Sequence, residues 1–423
     1  MNRRYFFPTM VLAARRAAVA ASDKITIALM GVRGRGRSLT TAFCAQPDVN
    51  VAYVCDIDQN VVEAAYKIIE KSGRKRPPLV ADLRKCLDDK SVDAIVMGTP
   101  LHWHAPGTIL ACNAGKDVYV EKPISHNIHE GRLMVEAARR NKRIVQVGSQ
   151  LPSLPETQAF QAYVQSGKLG RVLMAKVWNA QMRNNIGHKE DEPVPTGIDY
   201  ETWTGPLPKM PFNRNRFHGT VNWHWHYGTG DIGNDGVHEL DIARRALGVQ
   251  LPKFVSGMGR KMYFEDDQQT PDTMNITYDY GDKLLMYEQR LWTPYGLEGC
   301  DNGVAVYGDK AVAHFGKFRG RNWGFRVLDG DDGKEIHSEQ HDKSSIDTPH
   351  ARNFLDSMRS RQKPRVDIEE GHWSTSLAHL GNIVARTGRA IRFDPKTEQV
   401  IGDAEANKLV RREYRQHWST PKG

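Results

Sequence analysis

The chain has 423 residues, enough for two or three domains at roughly 100–200 residues each. Hydrophobic residues make up 39% and charged residues 26%, which excludes global disorder, and no run of about 18–20 apolar residues is present to span a membrane. The 59 lysines and arginines exceed the 50 acids by nine, but Arg3, Arg4, Arg15 and Arg16 supply four of these charges before Asp23, the first acid. Nucleic acid is therefore not needed to account for the basic balance.

The first 22 residues stand apart. Arg3-Arg4-Tyr5-Phe6-Phe7 precedes an apolar run, Val11 to Ala14, and a small-residue stretch, Ala17 to Ser22. The pattern resembles a twin-arginine export signal and implies a periplasmic or secreted protein. The alternative is a basic N-terminus on a cytoplasmic protein. Five cysteines (Cys44, Cys55, Cys86, Cys112 and Cys300) form no CxxC pair and read as buried free thiols.

From Lys24 the chain alternates strands with helices. Strands are expected at Ile25 to Met30, Val49 to Cys55, Ala94 to Met97, Val118 to Val120 and Arg143 to Val147. Helices are expected at Ser38 to Ala45, Val61 to Ile69, Pro106 to Ala114 and 128–140. This alternation specifies βαβ units around a parallel sheet. The turn after the first strand reads Gly31-Val32-Arg33-Gly34-Arg35-Gly36, and Asp56 closes the second strand 20 residues after Gly36. Glycines between a strand and a helix let backbone N–H groups approach a pyrophosphate, and an acid at that distance binds the adenosine ribose. Asp56 favours NAD over NADP by repelling a 2′-phosphate, whereas Arg33, Arg35 and Arg37 leave NADP possible.

Downstream lie Thr99-Pro100-Leu101-His102-Trp103-His104 and Glu121-Lys122-Pro123, both at the carboxyl ends of strands, where open parallel sheets bind ligands. With Asp199 to Pro206, Gly230 to Arg244 and Asn353 to Asp356, these signatures resemble the glucose–fructose oxidoreductase/inositol dehydrogenase (Gfo/Idh/MocA) family over nearly everything after residue 23. The resemblance implies an α/β protein of two domains. A Rossmann dinucleotide-binding domain over 24–150 is followed over 151–423 by an α/β domain whose open, mainly antiparallel sheet carries substrate and often an oligomer interface. It implies hydride transfer between NAD(P) and a hydroxyl or carbonyl of a sugar, sugar derivative or glycoside. The cofactor would be held by residues 31–36 (Val32 included), Asp56, Ile57, Thr99, Pro100, His102, His104, Glu121 and Lys122. Lys122 matches the lysine that assists proton transfer at the reacting hydroxyl, although a lysine beside a proline at a strand end is also an ordinary solvated residue.

The second catalytic stretch is Gly228 to Asp241, with a helix from about Val237 and Leu240, Ala243 and Leu247 on its inner side. His238 matches the family's catalytic histidine. Many relatives carry an aspartate four residues earlier, where this chain has Asn234, which can orient the imidazole but not stabilise its cation. The competing reading makes Asn234 and Asp235 helix caps and His238 a core residue. Upstream, Trp223-His224-Trp225-His226-Tyr227, if extended, would put both histidines on one face. Neither that pair nor His102-x-His104 has partners at metal-ligand spacing, so no metal is expected. Rings stacking on sugar faces suit the segment better. Lys122, Arg183, Trp225, Asp235 and His238 are thus the candidate substrate contacts, with Trp178 and His188 as further ones.

In the second half a helix at 156–165, strands at Val172 to Trp178, 303–307, 311–315 and 325–328, and helices at 349–360 and 369–388 are expected. Gly281-Asp282 marks a hairpin turn, and 191–211 a long loop over the pocket. A small-molecule carbohydrate and a second copy of the chain are the expected partners. The alternatives are a glycoside hydrolase or isomerase using transient redox at a sugar carbon, and a non-catalytic nucleotide-binding regulator.

Overall fold

The computed structural model describes residues 24–318, 322–340 and 346–422; the export-signal reading lies outside them. The first unit runs β1 (Ile25–Met30), α1 (Arg35–Cys44), β2 (Val49–Cys55), α2 (Val62–Lys71), β3 (Leu79–Val80), α3 (Leu83–Asp88), β4 (Ala94–Met97), α4 (His104–Asn113), β5 (Asp117–Val120), α5 (Ile128–Arg140) and β6 (Val145–Val147). Every residue of β4, β5 and β6 is buried, as in a sheet covered by helices on both faces. The strands pair in parallel in the order β3-β2-β1-β4-β5-β6, the doubly wound arrangement whose ligand crevice opens where the order reverses, beside β1 and β4.

Local chemistry sets the helix starts. Asn127 caps α5 by accepting from the Glu130 N–H, and Glu130 turns back to accept from the His126 N–H. The sequence pattern does not reveal β3 and α3. The strand has two half-buried residues, and the helix has six, started by an Asp82 cap on the Arg84 N–H, so neither is long enough to show periodicity.

The second unit begins with α6 (Pro155–Gln165) and β7 (Val172–Ala180) and continues through α7 (Tyr200–Thr204), α8 (Val237–Leu247), β8 (Phe254–Arg260), β9 (Thr273–Asp279), β10 (Leu284–Arg290), β11 (Cys300–Gly308), β12 (Ala311–Phe318), β13 (Trp323–Asp329) and β14 (Glu335–Gln340). It ends with α9 (Asp347–Ser360), α10 (Ile368–Thr387), β15 (Ile391–Asp394), β16 (Gln399–Ile401) and α11 (Ala404–Lys408). Ten strands form one open sheet, β14-β13-β12-β11-β7-β10-β9-β8-β15-β16, antiparallel except where β7 meets β10. The β9–β10 hairpin turns at Gly281, whose φ of 102° suits glycine. Leu240, Ala243 and Leu247 of α8 and Leu377, Leu380 and Val384 of α10 pack on Ile276, Leu285 and Val304 of the sheet.

The last two long helices return to the first unit. Phe354 of α9 meets Phe43 and Tyr119 edge-on at centroid distances of 6.2 and 5.9 Å. The stretch 223–227 is not extended. The Tyr227 N–H bonds the His224 carbonyl at 3.0 Å in a tight turn, so the two histidines do not share a face. All five cysteines are buried and unpaired. Among the described residues no helix is long and apolar enough to cross a membrane, and no cluster of three His, Cys, Asp or Glu side chains could hold a metal.

Candidate active site

The turn after β1 is shaped by contacts that tolerate no side chain. Gly31 and Gly34 have φ values of 76° and 42°, and a Cβ on Gly36 would stand 1.9 Å from the Gly31 carbonyl oxygen. Val32 is buried and works through its N–H, which donates to Asp56 Oδ2 at 2.8 Å, while Asp56 Oδ1 accepts from the Asp58 N–H at 3.0 Å. Burial raises the Asp56 carboxyl above its usual range, and these backbone donors oppose the rise. Asp56 and Ile57 line a cavity of about 590 Å³ with Gly31, Arg33, Thr99 and Trp203. Thr202 and Trp203 of the 191–211 loop also line it, and the loop is tied to the first unit where the Gln59 N–H donates to the Gly197 carbonyl and the Asp199 N–H to the Ile57 carbonyl.

A second cleft of about 940 Å³ continues from it past Arg33, Gly34, Pro100, Glu121, Lys122 and Asn234. Thr99 Oγ1 is enclosed beside it without a hydrogen-bond partner. An unpartnered hydroxyl, a glycine cradle and a strand-end carboxylate together fit a dinucleotide lying across the two cavities.

Several expected cofactor contacts have other work. Arg35 lines the cleft, but its Nε donates to Glu121 at 2.7 Å and its two terminal nitrogens to Asp347 at 2.8 and 2.9 Å, so its charge is spent on carboxylates 86 and 312 positions away. Arg33 is the exposed arginine on the cleft wall. His102 is not on the wall: its Nε2 lies 2.7 Å from the Trp203 carbonyl, and its ring packs on Trp203 and Tyr227. Burial pushes its pKa down to about 3, making it a neutral core histidine. The ring nitrogens of His104 lie 2.7 Å from the Pro123 carbonyl and 2.9 Å from the Thr99 carbonyl, tying together the two loops that form the cleft.

Lys122 precedes a cis peptide to Pro123 and points its Nζ at the Asn234 backbone carbonyl, to which it donates. Asn234 does not orient His238. Its Nδ2 donates to Asp231 and its Oδ1 accepts from Asn222, both at 3.0 Å, because the chain here forms one π-helical turn, Ile232–Gly236, that turns the side chain away from α8. That turn is packed without slack, since a Cβ on Gly236 would lie 2.4 Å from Tyr287 Oη.

On the other side of the turn is a third cavity, about 1050 Å³, lined by Gln150, Asp235, His238, Glu239, Asn302 and Trp323 among others. His238 Nδ1 is enclosed with no partner. Burial first, and then the positive charges of Lys122 and Arg35, hold the imidazole well below its usual pKa, so it is neutral at pH 7. Asp235 Oδ2 accepts from Asn302 Nδ2 at 2.7 Å. Arg183 donates to the fully buried Asp231 at 2.9 Å and lies 3.8 Å from Asp235, which makes it a support behind the wall.

The aromatic candidates fall elsewhere. Trp178 is core, its Nε1 donating to the Cys300 carbonyl. Trp225 is absent from the walls of the three cavities and stacks under Arg386 at 5.0 Å. His188 is an exposed partner of Asp267. The pattern reading missed Gln150, Asn302 and Glu239, the last signalled only by its place next to His238.

A doubly wound sheet with a glycine turn, and a lysine on its cleft with a neutral histidine on the cavity across one π-helical turn, fit a nicotinamide-dependent oxidoreductase. A family model described as "Oxidoreductase family, NAD-binding Rossmann fold" matches residues 25–149. Its companion, "Oxidoreductase family, C-terminal alpha/beta domain", matches 158–288 and 335–420. The chain belongs to this family, the Gfo/Idh/MocA oxidoreductases, and carries its NAD-binding domain.

The WlbA dehydrogenase from Bordetella pertussis, solved with NADH and UDP-GlcNAcA, superposes with a TM-score of 0.65 at 19% identity, covering 88% of this chain and 99% of that one. A levoglucosan dehydrogenase solved with NADH and levoglucosan gives 0.66 at 15%, covering 87% and 99%. By sequence, an alpha-N-acetylgalactosaminidase of Shewanella oneidensis and a glycosyl hydrolase family 109 protein of Shewanella sp. (strain ANA-3) are each 31% identical over 125 residues. That match spans 29% of this chain and only 27% of each relative.

Proposed function

We propose that the protein transfers a hydride between NAD(P) and a hydroxyl or carbonyl of a sugar or sugar derivative. The observation that carries this is the junction itself. Lys122 on the cofactor cleft and His238 on the third cavity flank one π-helical turn, close enough that the charge of Lys122 depresses the histidine's pKa. A dinucleotide held at residues 31–36 and Asp56 would supply a nicotinamide as acceptor for the hydride of the carbinol carbon. His238, neutral and with a free ring nitrogen, accepts the hydroxyl proton. Lys122, anchored on the Asn234 carbonyl, donates to the same oxygen as it becomes a carbonyl. Asp235, held by Asn302, accepts from a further hydroxyl. The ligands of the two dehydrogenase structures, levoglucosan and UDP-GlcNAcA, support a carbohydrate substrate. Asp56 supports NAD as the preferred cofactor.

The glycosyl hydrolase names support a second reading, glycoside cleavage through transient oxidation, though over less than a third of this chain. Incubation with NAD or NADP and a panel of sugars and aryl glycosides separates the two, following reduced-cofactor absorbance and aglycone release together. Net reduced cofactor supports the dehydrogenase, and release without it the hydrolase. Neither signal overturns both.

The reading extends to location and assembly. Arg3-Arg4 and the apolar run after it support twin-arginine export, tested by cell fractionation. Met258, Met262 and Tyr263, 56%, 70% and 59% exposed, support self-association through the second unit, tested by light scattering.

A further inference from the structure

Glu239 follows His238 in the first turn of α8 and is only 3% exposed, yet it forms part of the wall of the third cavity. Its Oε2 is enclosed without a hydrogen-bond partner, as is Nδ1 of His238, which lines the same cavity. A buried carboxyl kept for packing alone would be satisfied by the chain, because an unpaired buried polar atom destabilises the fold. Its environment also sets its form. Burial first, and then the neighbouring Asp235 carboxylate one helical turn back, hold the Glu239 carboxyl well above its usual range, against the opposing pull of Lys122. That shift favours the carboxylic acid form, which can both donate and accept.

Resting on the sugar-oxidoreductase reading, we infer that Glu239 is a specificity-determining residue that hydrogen-bonds the hydroxyl on the carbon next to the one being oxidised. His238 and Glu239 line the same cavity, so a substrate whose reacting oxygen meets His238 lies against the wall that Glu239 forms. Asp235, in the π-helical turn before α8, lines the same cavity and bonds the substrate from there. The substrate class is therefore narrowed to compounds with a free hydroxyl vicinal to the reacting carbinol, and a singly deoxygenated analogue leaves the buried acid unpaired.

The test uses the full-length, NAD-loaded protein with D-glucose, D-galactose and their singly deoxygenated analogues. The expected result is a preference of roughly 10- to 100-fold in kcat/KM for the parent sugar over the analogue lacking the neighbouring hydroxyl. Glu239→Leu is expected to lose that preference, and Glu239→Gln, which still donates and accepts, to retain most of it, with NAD affinity unchanged in both. An unaltered preference in Glu239→Leu overturns the inference and leaves the oxidoreductase reading standing. Sugars that the parent neither binds nor oxidises overturn that reading, and this inference with it. Infrared difference spectra guard against misfolding of the leucine variant. A protonated-carboxyl band that shifts when sugar is added to the parent and is missing in Glu239→Gln supports the assignment, and a band that ignores the sugar overturns it.

Discussion

The nucleotide side and the substrate side of the cleft are built by opposite means. On the nucleotide side the work is done by backbone: glycines at positive φ, N–H groups on Asp56, and carbonyls gripped by His104. On the substrate side it is done by cavity-wall side chains, His238, Glu239 and Asp235, whose pKa values are shifted first by burial and then by neighbouring charges. Backbone sites read a shape common to all dinucleotides. On the proposed reading, a cavity of ionisable side chains reads one hydroxyl pattern, which puts substrate choice in the second unit.

The comparison can be broken most severely at Gly36. A Gly36→Val variant puts a side chain where even a Cβ would lie 1.9 Å from a backbone oxygen. We expect a loss of about 3 kcal/mol or more, read by denaturant unfolding, together with loss of NAD binding. A folded variant with the parent's NAD affinity would show that the turn is not the cradle. Next comes Lys122→Ala, for which kcat should fall roughly 10²- to 10⁴-fold while calorimetry shows NAD binding little changed; parental turnover would remove Lys122 from the reaction.

The pH profile sharpens the substrate side. A base whose pKa is depressed stays unprotonated to lower pH, so the acid limb of kcat/KM should fall well below the 6.5 of a free imidazole. A limb at or above that value would contradict a buried His238 base. The mildest effect is expected at Asp56→Ser, which removes the negative charge facing the ribose and should raise the NADP-to-NAD ratio of kcat/KM by roughly tenfold. An unmoved ratio would place cofactor choice elsewhere.

The legible parts of the chain were those whose signal is local. A strand, a glycine turn and a helix announce themselves within twenty residues, and the β9–β10 hairpin is carried by Gly281-Asp282. What escaped depends on distant partners. Nothing near Arg35 foretells Asp347, and nothing near His102 foretells the Trp203 carbonyl that takes it into the core. Asn234 stands at the family's aspartate position, but a π-helical turn makes its carbonyl, not its amide, the group that meets Lys122. Trp225 belongs to an aromatic run that suggests a sugar platform, and only the tight turn at 224–227 shows it aimed at Arg386 instead.

The return of α9 to the nucleotide-binding unit limits how these parts can be exchanged. Asp347 completes the Arg35–Glu121 ion-pair network, and Phe354 fills the space beside Phe43 and Tyr119. A graft of residues 24–150 onto another second domain, made to change cofactor preference, would leave that arginine half-paired and an aromatic socket empty. The transplantable module is discontinuous: with the first strand–helix units it takes in 347–368, where Arg361 pairs with Asp117, the Val366 carbonyl accepts from the Val147 N–H and Asp367 pairs with Arg139.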